Sequence, residues 1–146
     1  MQTIESLKAT GNVNISIARA DGSVEHTEIK NLVVTTGLNY IVSRMKDTTL
    51  GAMSHMAIGA GTTAAAAGDT TLGSELGRVS LTSTTVSTNT VQYVATFGAG
   101  TGTGAVTEAG ILNNSSGGTL LCRTVFGVVT KDVGDSMVIT WTITVA

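Results

Sequence analysis

The C-terminal stretch SMVITWTITVA alternates without a break. Met137, Ile139, Trp141, Ile143 and Val145 fall on one side, and Val138, Thr140, Thr142 and Thr144 on the other. A period of two over this length fits a pleated strand with one buried face. The threonine side is strand-friendly and wettable, so the apolar side is expected to face the core. A strand must find hydrogen-bonding neighbours, and the rest of the chain offers several.

GNVNISIARA sets Val13, Ile15 and Ile17 against Asn12, Asn14 and Ser16. Asp21-Gly22 is a hairpin signal, and VEHTEIKNLVV is its return strand. HMAIGAG is a short buried strand ending in glycines. GRVSLTSTTVS, NTVQYVATFGAG, AVTEAGIL and GTLLCRTVF complete the set. One segment breaks the pattern: Thr36 is placed to cap a helix over GLNYIVSRMK, where Leu38, Ile41, Val42 and Met45 recur at helical spacing. That stripe is expected to lie on the sheet, with Asn39, Ser43, Arg44 and Lys46 outward. TTAAAAGDTTLGSEL is expected to be a long loop with one helical turn, because Gly68 and Asp69 interrupt the alanines. Residues 1 to 10 show no period and are expected to form an N-terminal arm. Residues 11 to 146 then make one domain, an antiparallel β-sandwich of about eight strands with one α-helix.

Composition narrows the chemistry. Hydrophobic residues are 42% of the 146, but aromatics are 3% and charged residues 12%. The charged share is about half the usual ~25%, so the surface must be dressed with Thr, Ser, Asn and Gly or covered by a partner. A net charge of −2 leaves no basic footprint for nucleic acid or an anionic membrane. No apolar run approaches a membrane span, and the N-terminus lacks a secretory signal, which points to synthesis in a cytosol. Cys122 is the single cysteine, so no intrachain disulfide is expected. Proline is absent, leaving the turns to Gly, Asn, Asp and Ser.

No motif with catalytic spacing stands out. GAGTGTG places Gly98, Gly100, Gly102 and Gly104 at alternate positions but lacks the strand–turn–helix context of a phosphate or dinucleotide loop. His26 alternates with Glu28 on a strand without a third metal ligand, and His55 stands where a strand begins. Cys122 lies among apolar neighbours, as a small buried hydrophobe does. The acid pairs Asp132 with Asp135 and Glu25 with Glu28 are expected in solvated turns or faces. No cofactor is expected. The charges that matter most are Glu75 and Arg78 in SELGRV, and Glu108 and Arg123 in VTEAGILNNSSGGTLLCRTVF. Charge is scarce here, and a Glu–Arg clip can hold strand register. Glu108 is expected to pair with Arg123 or Arg78.

From Met56 onward the order of pieces resembles tailed-bacteriophage virion proteins. AIGAGTTAAAAGDTTLGSELGRVSLTST is similar to an apolar "a-G-x-G" strand, a small-residue loop and a "t-x-L-x-x-E-x-x-R" segment. VQYVATFGAGTGTGAVTEAGILNNSSGGTLLCRTVF resembles the continuation "tEaGifn-ggtlLaRtvF". VVTKDVGDSMVITWTITVA resembles the closing strand, and KNLVVTTGLNYIVSRM the helix start of the same proteins. A more distant similarity is to the attachment module of phage tail-collar fibre proteins, from which this sequence departs in having no proline.

The resemblance implies a non-enzymatic virion structural protein, made in the host cytoplasm. The expected function is a capsid decoration (cement) protein that forms a homo-oligomer, in particular a trimer, and binds the major capsid protein. A tail, collar or fibre-anchoring adaptor is the alternative, and a carbohydrate-binding β-sandwich is more remote. Expected assembly contacts are the arm, through Met1, Ile4 and Leu7, and two loops, through Gly59, Gly61, Ala65, Gly98, Gly100 and Gly102.

Overall fold

Every alternating segment becomes a strand. A computed structural model describes residues 6 to 46 and 50 to 146. Its elements are β1 (Ala9–Ala18), β2 (Val24–Val33), α1 (Thr35–Ser43), β3 (His55–Gly59), β4 (Glu75–Ser80), β5 (Ser83–Ser87), β6 (Thr90–Phe97), β7 (Gly104–Leu112), β8 (Leu120–Lys131) and β9 (Ser136–Val145). All pairings are antiparallel. The order is β4-β3-β7-β8-β2-β1-β9-β6-β5, one sheet curled into a half-barrel.

The expected mainly β, antiparallel architecture with one helix therefore forms, but as one continuous sheet and not as the two sheets of a sandwich. The continuity comes from β2. It pairs with β1 as far as Gly11↔Asn31, then with β8 at Leu32↔Arg123 and Val33↔Cys122. The ninth strand arises because GRVSLTSTTVS is not one strand. The N–H of Leu81 donates to Ser54 O at 2.9 Å, and that of Thr82 to Val94 O at 2.7 Å. The chain thus changes neighbours between adjacent residues, leaving β4 on β3 and β5 on β6.

Curling brings the inward faces of the two halves together. Val13, Trp141 and Tyr93 lie in one cross-strand row. They share a cluster with Met56, Ile58, Val106, Ile111, Leu121 and Cys122 from the other half. Trp141 and Phe97 are fully buried, so the few aromatics fill the centre of the core. A smaller cluster of Val34, Ala57, Leu72, Leu112 and Leu120 seats the loop of residues 60 to 74 on the sheet, with Leu72 as the loop's own anchor.

Two boundaries differ from expectation. Residues 9 and 10, expected in the arm, belong to β1, and Lys8 and Ala146 exchange backbone hydrogen bonds of 2.8 and 2.9 Å. Residues 62 to 74 contain only turns, bends and irregular chain before β4, with no helical turn.

The helix is also set differently. Val34, with no side-chain hydrogen bond, occupies the cap position, and the Thr36 hydroxyl donates to Leu120 O at 2.8 Å. Gly37 is buried so closely on β8 that a Cβ there would stand 1.9 Å from Leu121 O. That contact sets the rotation of α1. Tyr40 enters the core and Ile41 packs beside it, while Leu38, Val42 and Met45 are 46%, 64% and 83% exposed. The expected apolar stripe therefore does not lie on the sheet, because backbone contact at Gly37 decides which face is buried.

This packing predicts a contrast between two glycines. Gly37→Ala should lose about 1–3 kcal/mol in urea unfolding, the usual cost of overpacking. Gly127→Ala, which meets nothing within 4 Å, should change stability far less.

Candidate functional site

The carboxylate of Glu108 is the polar centre of the molecule. β7 carries it on the face that receives the loop of residues 60 to 74, and it is 0% exposed. Its Oε1 accepts the backbone N–H groups of Gly61 at 2.9 Å and Ser74 at 2.7 Å. Its Oε2 accepts the N–H of Gly73 at 2.8 Å and Arg123 Nε at 2.9 Å, with Nη2 also at 2.9 Å. Arg123 is itself only 3% exposed. Its Nη1 donates to Asp69 Oδ2 at 2.8 Å and its Nη2 to Thr63 O at 3.0 Å.

The site exists because β7 and β8 fold as a hairpin through NNSSGG, with Gly117 and Gly118 at positive φ. Gly110 pairs with Arg123 and Glu108 with Val125, so acid and base sit on a diagonal. Both side chains then close on one loop. Glu108 holds its two ends, and Arg123 holds its middle through Thr63 and Asp69. Thr107 adds a bond from its hydroxyl to Gly61 O at 2.7 Å. Small residues are required around the carboxylate. A Cβ at Gly59 or Gly61 would stand 2.5 Å from Glu108 Oε1.

The electrostatics follow. Burial pushes the Glu108 carboxyl upward, but the N–H groups of Ser74 and Gly73, Arg123 and the N–H of Gly61 outweigh it and hold it below its ordinary value. Asp69 is held low by the Ala66 N–H and, against some burial, by Arg123. Every Arg123 nitrogen already has an acceptor. The arrangement is chemically a closed clasp that ties the loop to the sheet.

Glu75 and Arg78 pair separately at 2.7 Å on the outer side of β4. Arg78 also donates to Asn114 O and Gly117 O at 2.8 and 2.9 Å, tying β4 to the β7–β8 turn. Glu108 therefore meets Arg123 and not Arg78. Among the expected contacts, Leu7 and Gly100 are exposed, and Gly61, Ala65 and Gly98 are half-buried. Gly59 and Gly102 are buried and cannot touch a partner, since Gly59 backs onto Glu108 and Gly102 onto Ile58. Met1 and Ile4 lie outside the described residues.

Two buried charges escaped sequence reasoning. Asp135, expected in a solvated turn, is 2% exposed, pairs with Arg19 at 2.9 Å and accepts the N–H groups of Ala20 and Asp132. Lys131 is fully buried and donates to Gly98 O at 2.8 Å, and burial lowers its pKa. The signal was there in part: Asp132 and Asp135 bracket a two-residue turn, where an aspartate can cap its own loop. Cys122 is fully buried and its thiol pKa is pushed well up by burial. His55 sits between Ser54 and Ser80 hydroxyls, and His26 and Glu28 are exposed. Among the described residues no group of three or more His, Cys, Asp or Glu side chains is arranged to hold a metal ion. No family model, curated protein or solved structure matches this chain.

Glu108→Gln keeps the shape but turns an amide N–H₂ toward existing donors, so it should destabilise the fold by about 3–5 kcal/mol. The wild-type clasp has depressed carboxylate pKa values, so its stabilisation is complete above the unfolded-state value of about 4.3 and is lost as pH falls through the folded-state values. Denaturant unfolding against pH should show a steep acid limb in the wild type and a shallower one in Glu108→Gln.

Proposed function

We propose that this chain is a non-enzymatic structural protein of a tailed-bacteriophage particle, a capsid decoration protein that binds and stabilises the head shell. Its partners are copies of itself, with a trimer as the expected state, and the major capsid protein. It would be made in the host cytoplasm and end in the virion.

The observation that carries this reading is the outer face of β1, β9, β6 and β5. Strand register aligns Asn12, Thr142, Gln92 and Thr85 in one row, Asn14, Thr140, Val94 and Ser83 in the next, and Thr10, Thr144, Thr90 and Ser87 in a third. These rows contain no charge. A face of hydroxyls and amides can be covered by a lattice without stripping water from ions, and interface cores are depleted of charge for that reason. The clasp supports the same reading, since the most conspicuous acid and base are spent on holding a loop. The resemblance of the segment order to virion proteins supplies the particle.

A carbohydrate-binding role draws less support. Trp141 and Phe97 are fully buried, Tyr93 and Tyr40 show only an edge to one cleft, and half-buried Phe126 packs against the core, so no ring stands out as an open stacking platform. The tail or collar adaptor differs from the decoration role only in position. Purified protein added to undecorated heads should bind over the whole shell and raise its thermal stability. Labelled protein found only at the tail vertex of intact particles would overturn decoration in favour of the adaptor.

A further inference from the structure

We propose that β5 is a self-association edge, through which two copies of this chain join by antiparallel β5–β5 pairing about a two-fold axis at Thr85. The sheet then continues from one molecule into the other.

β5 ends the strand order, and all five of its residues are exposed. Among the described residues, β6 is the only strand paired with it. An edge strand offers unpaired N–H and C=O groups, and folded proteins guard such edges with charge, proline or bulges. The opposite edge is guarded: β4 carries the Glu75–Arg78 pair, and its ladder with β3 shifts register at Ile58/Gly59. β5 has none of these. Its ladder with β6 runs from Ser83↔Val94 to Ser87↔Thr90 without a shift.

The charge pattern selects the occupant. No Asp, Glu, Lys, Arg or His lies from Val79 to Thr107. A two-fold contact sets a surface against itself, so any charge near the axis would meet its own kind. An edge meant for a different peptide is free to carry complementary charge, whereas an edge meant for itself is best left neutral. With the axis at Thr85, Thr85 faces Thr85, Thr84 faces Val86 and Ser83 faces Ser87. All are residues suited to cross-strand pairing.

Apolar surface adds to the case. Val86 is 74% exposed, and its cross-strand neighbour Val91 lines a cleft of about 270 Å³ with Tyr40, Ile41, Tyr93 and Ile143. A strand laid along β5 would shield Val86. This contact stands on the edge itself and not on the virion reading. Being two-fold, it is separate from a three-fold contact and would join trimers in pairs.

The test is sedimentation equilibrium of the full chain with Thr85→Lys, Thr85→Glu and their equimolar mixture. The Thr85 side chain is exposed, so at concentrations too low for association the melting curves of the variants should match the wild type. Each variant alone should associate at least ~tenfold more weakly at low salt because like charges meet at the axis, and the mixture should restore association. A wild type that stays monomeric at high concentration, or association indifferent to both single variants, would overturn the proposal. A trimer indifferent to both would overturn this contact and leave the virion reading standing.

Discussion

The fold turns on a carboxylate that has no water to fall back on. Glu108 is completely buried, and each of its oxygens is met by backbone N–H groups or by the Arg123 guanidinium. Leaving any of these donors or acceptors unpaired in a dry interior costs more than a made bond returns. The loop of residues 60 to 74 is therefore obliged to bring Gly61, Gly73 and Ser74 to one point. Gly61 in that loop and Gly59 at the end of β3 are also obliged to lack a side chain, because a Cβ at either would displace the carboxylate. The loop's apolar anchor, Leu72, works in the same direction by packing under the clasp against Leu112 and Leu120.

The curl of the sheet has a comparable logic. A core short of aromatics must be closed by bringing aliphatic faces together from both halves, and this needs strands that turn corners. β2 does so by trading β1 for β8 at residues 31 and 32, and the chain does so again between Leu81 and Thr82. Gly37 then lets α1 sit directly on β8, and Tyr40 reaches the core beside the β6 and β9 side chains.

Much of this was legible in the residue pattern, and what was missed has physical causes. Period-two alternation located the strands and the inward face of β9, since it reports burial directly. Scarcity of charge singled out Glu108, Arg123, Glu75 and Arg78. Nothing local says that GRVSLTSTTVS bends, because the bend depends on which strands flank it. The orientation of α1 was hidden for a related reason: a hydrophobic stripe predicts the buried face only when side chains set the distance, and here a glycine does. The burial of Asp135 depends on Arg19, far away in sequence, and the loop donors on Glu108 depend on a tertiary approach that has no periodic signature.

The central claim is that Glu108 makes the small-residue loop an integral part of the fold, so that the loop opens only when the sheet does. Native-state hydrogen exchange at the amides of Gly61, Gly73 and Ser74 tests this most directly. If the clasp works as described, these amides exchange with an opening free energy close to that of global unfolding, like core strand amides. Exchange at rates typical of an exposed loop, while β7 and β9 stay protected, would contradict the account.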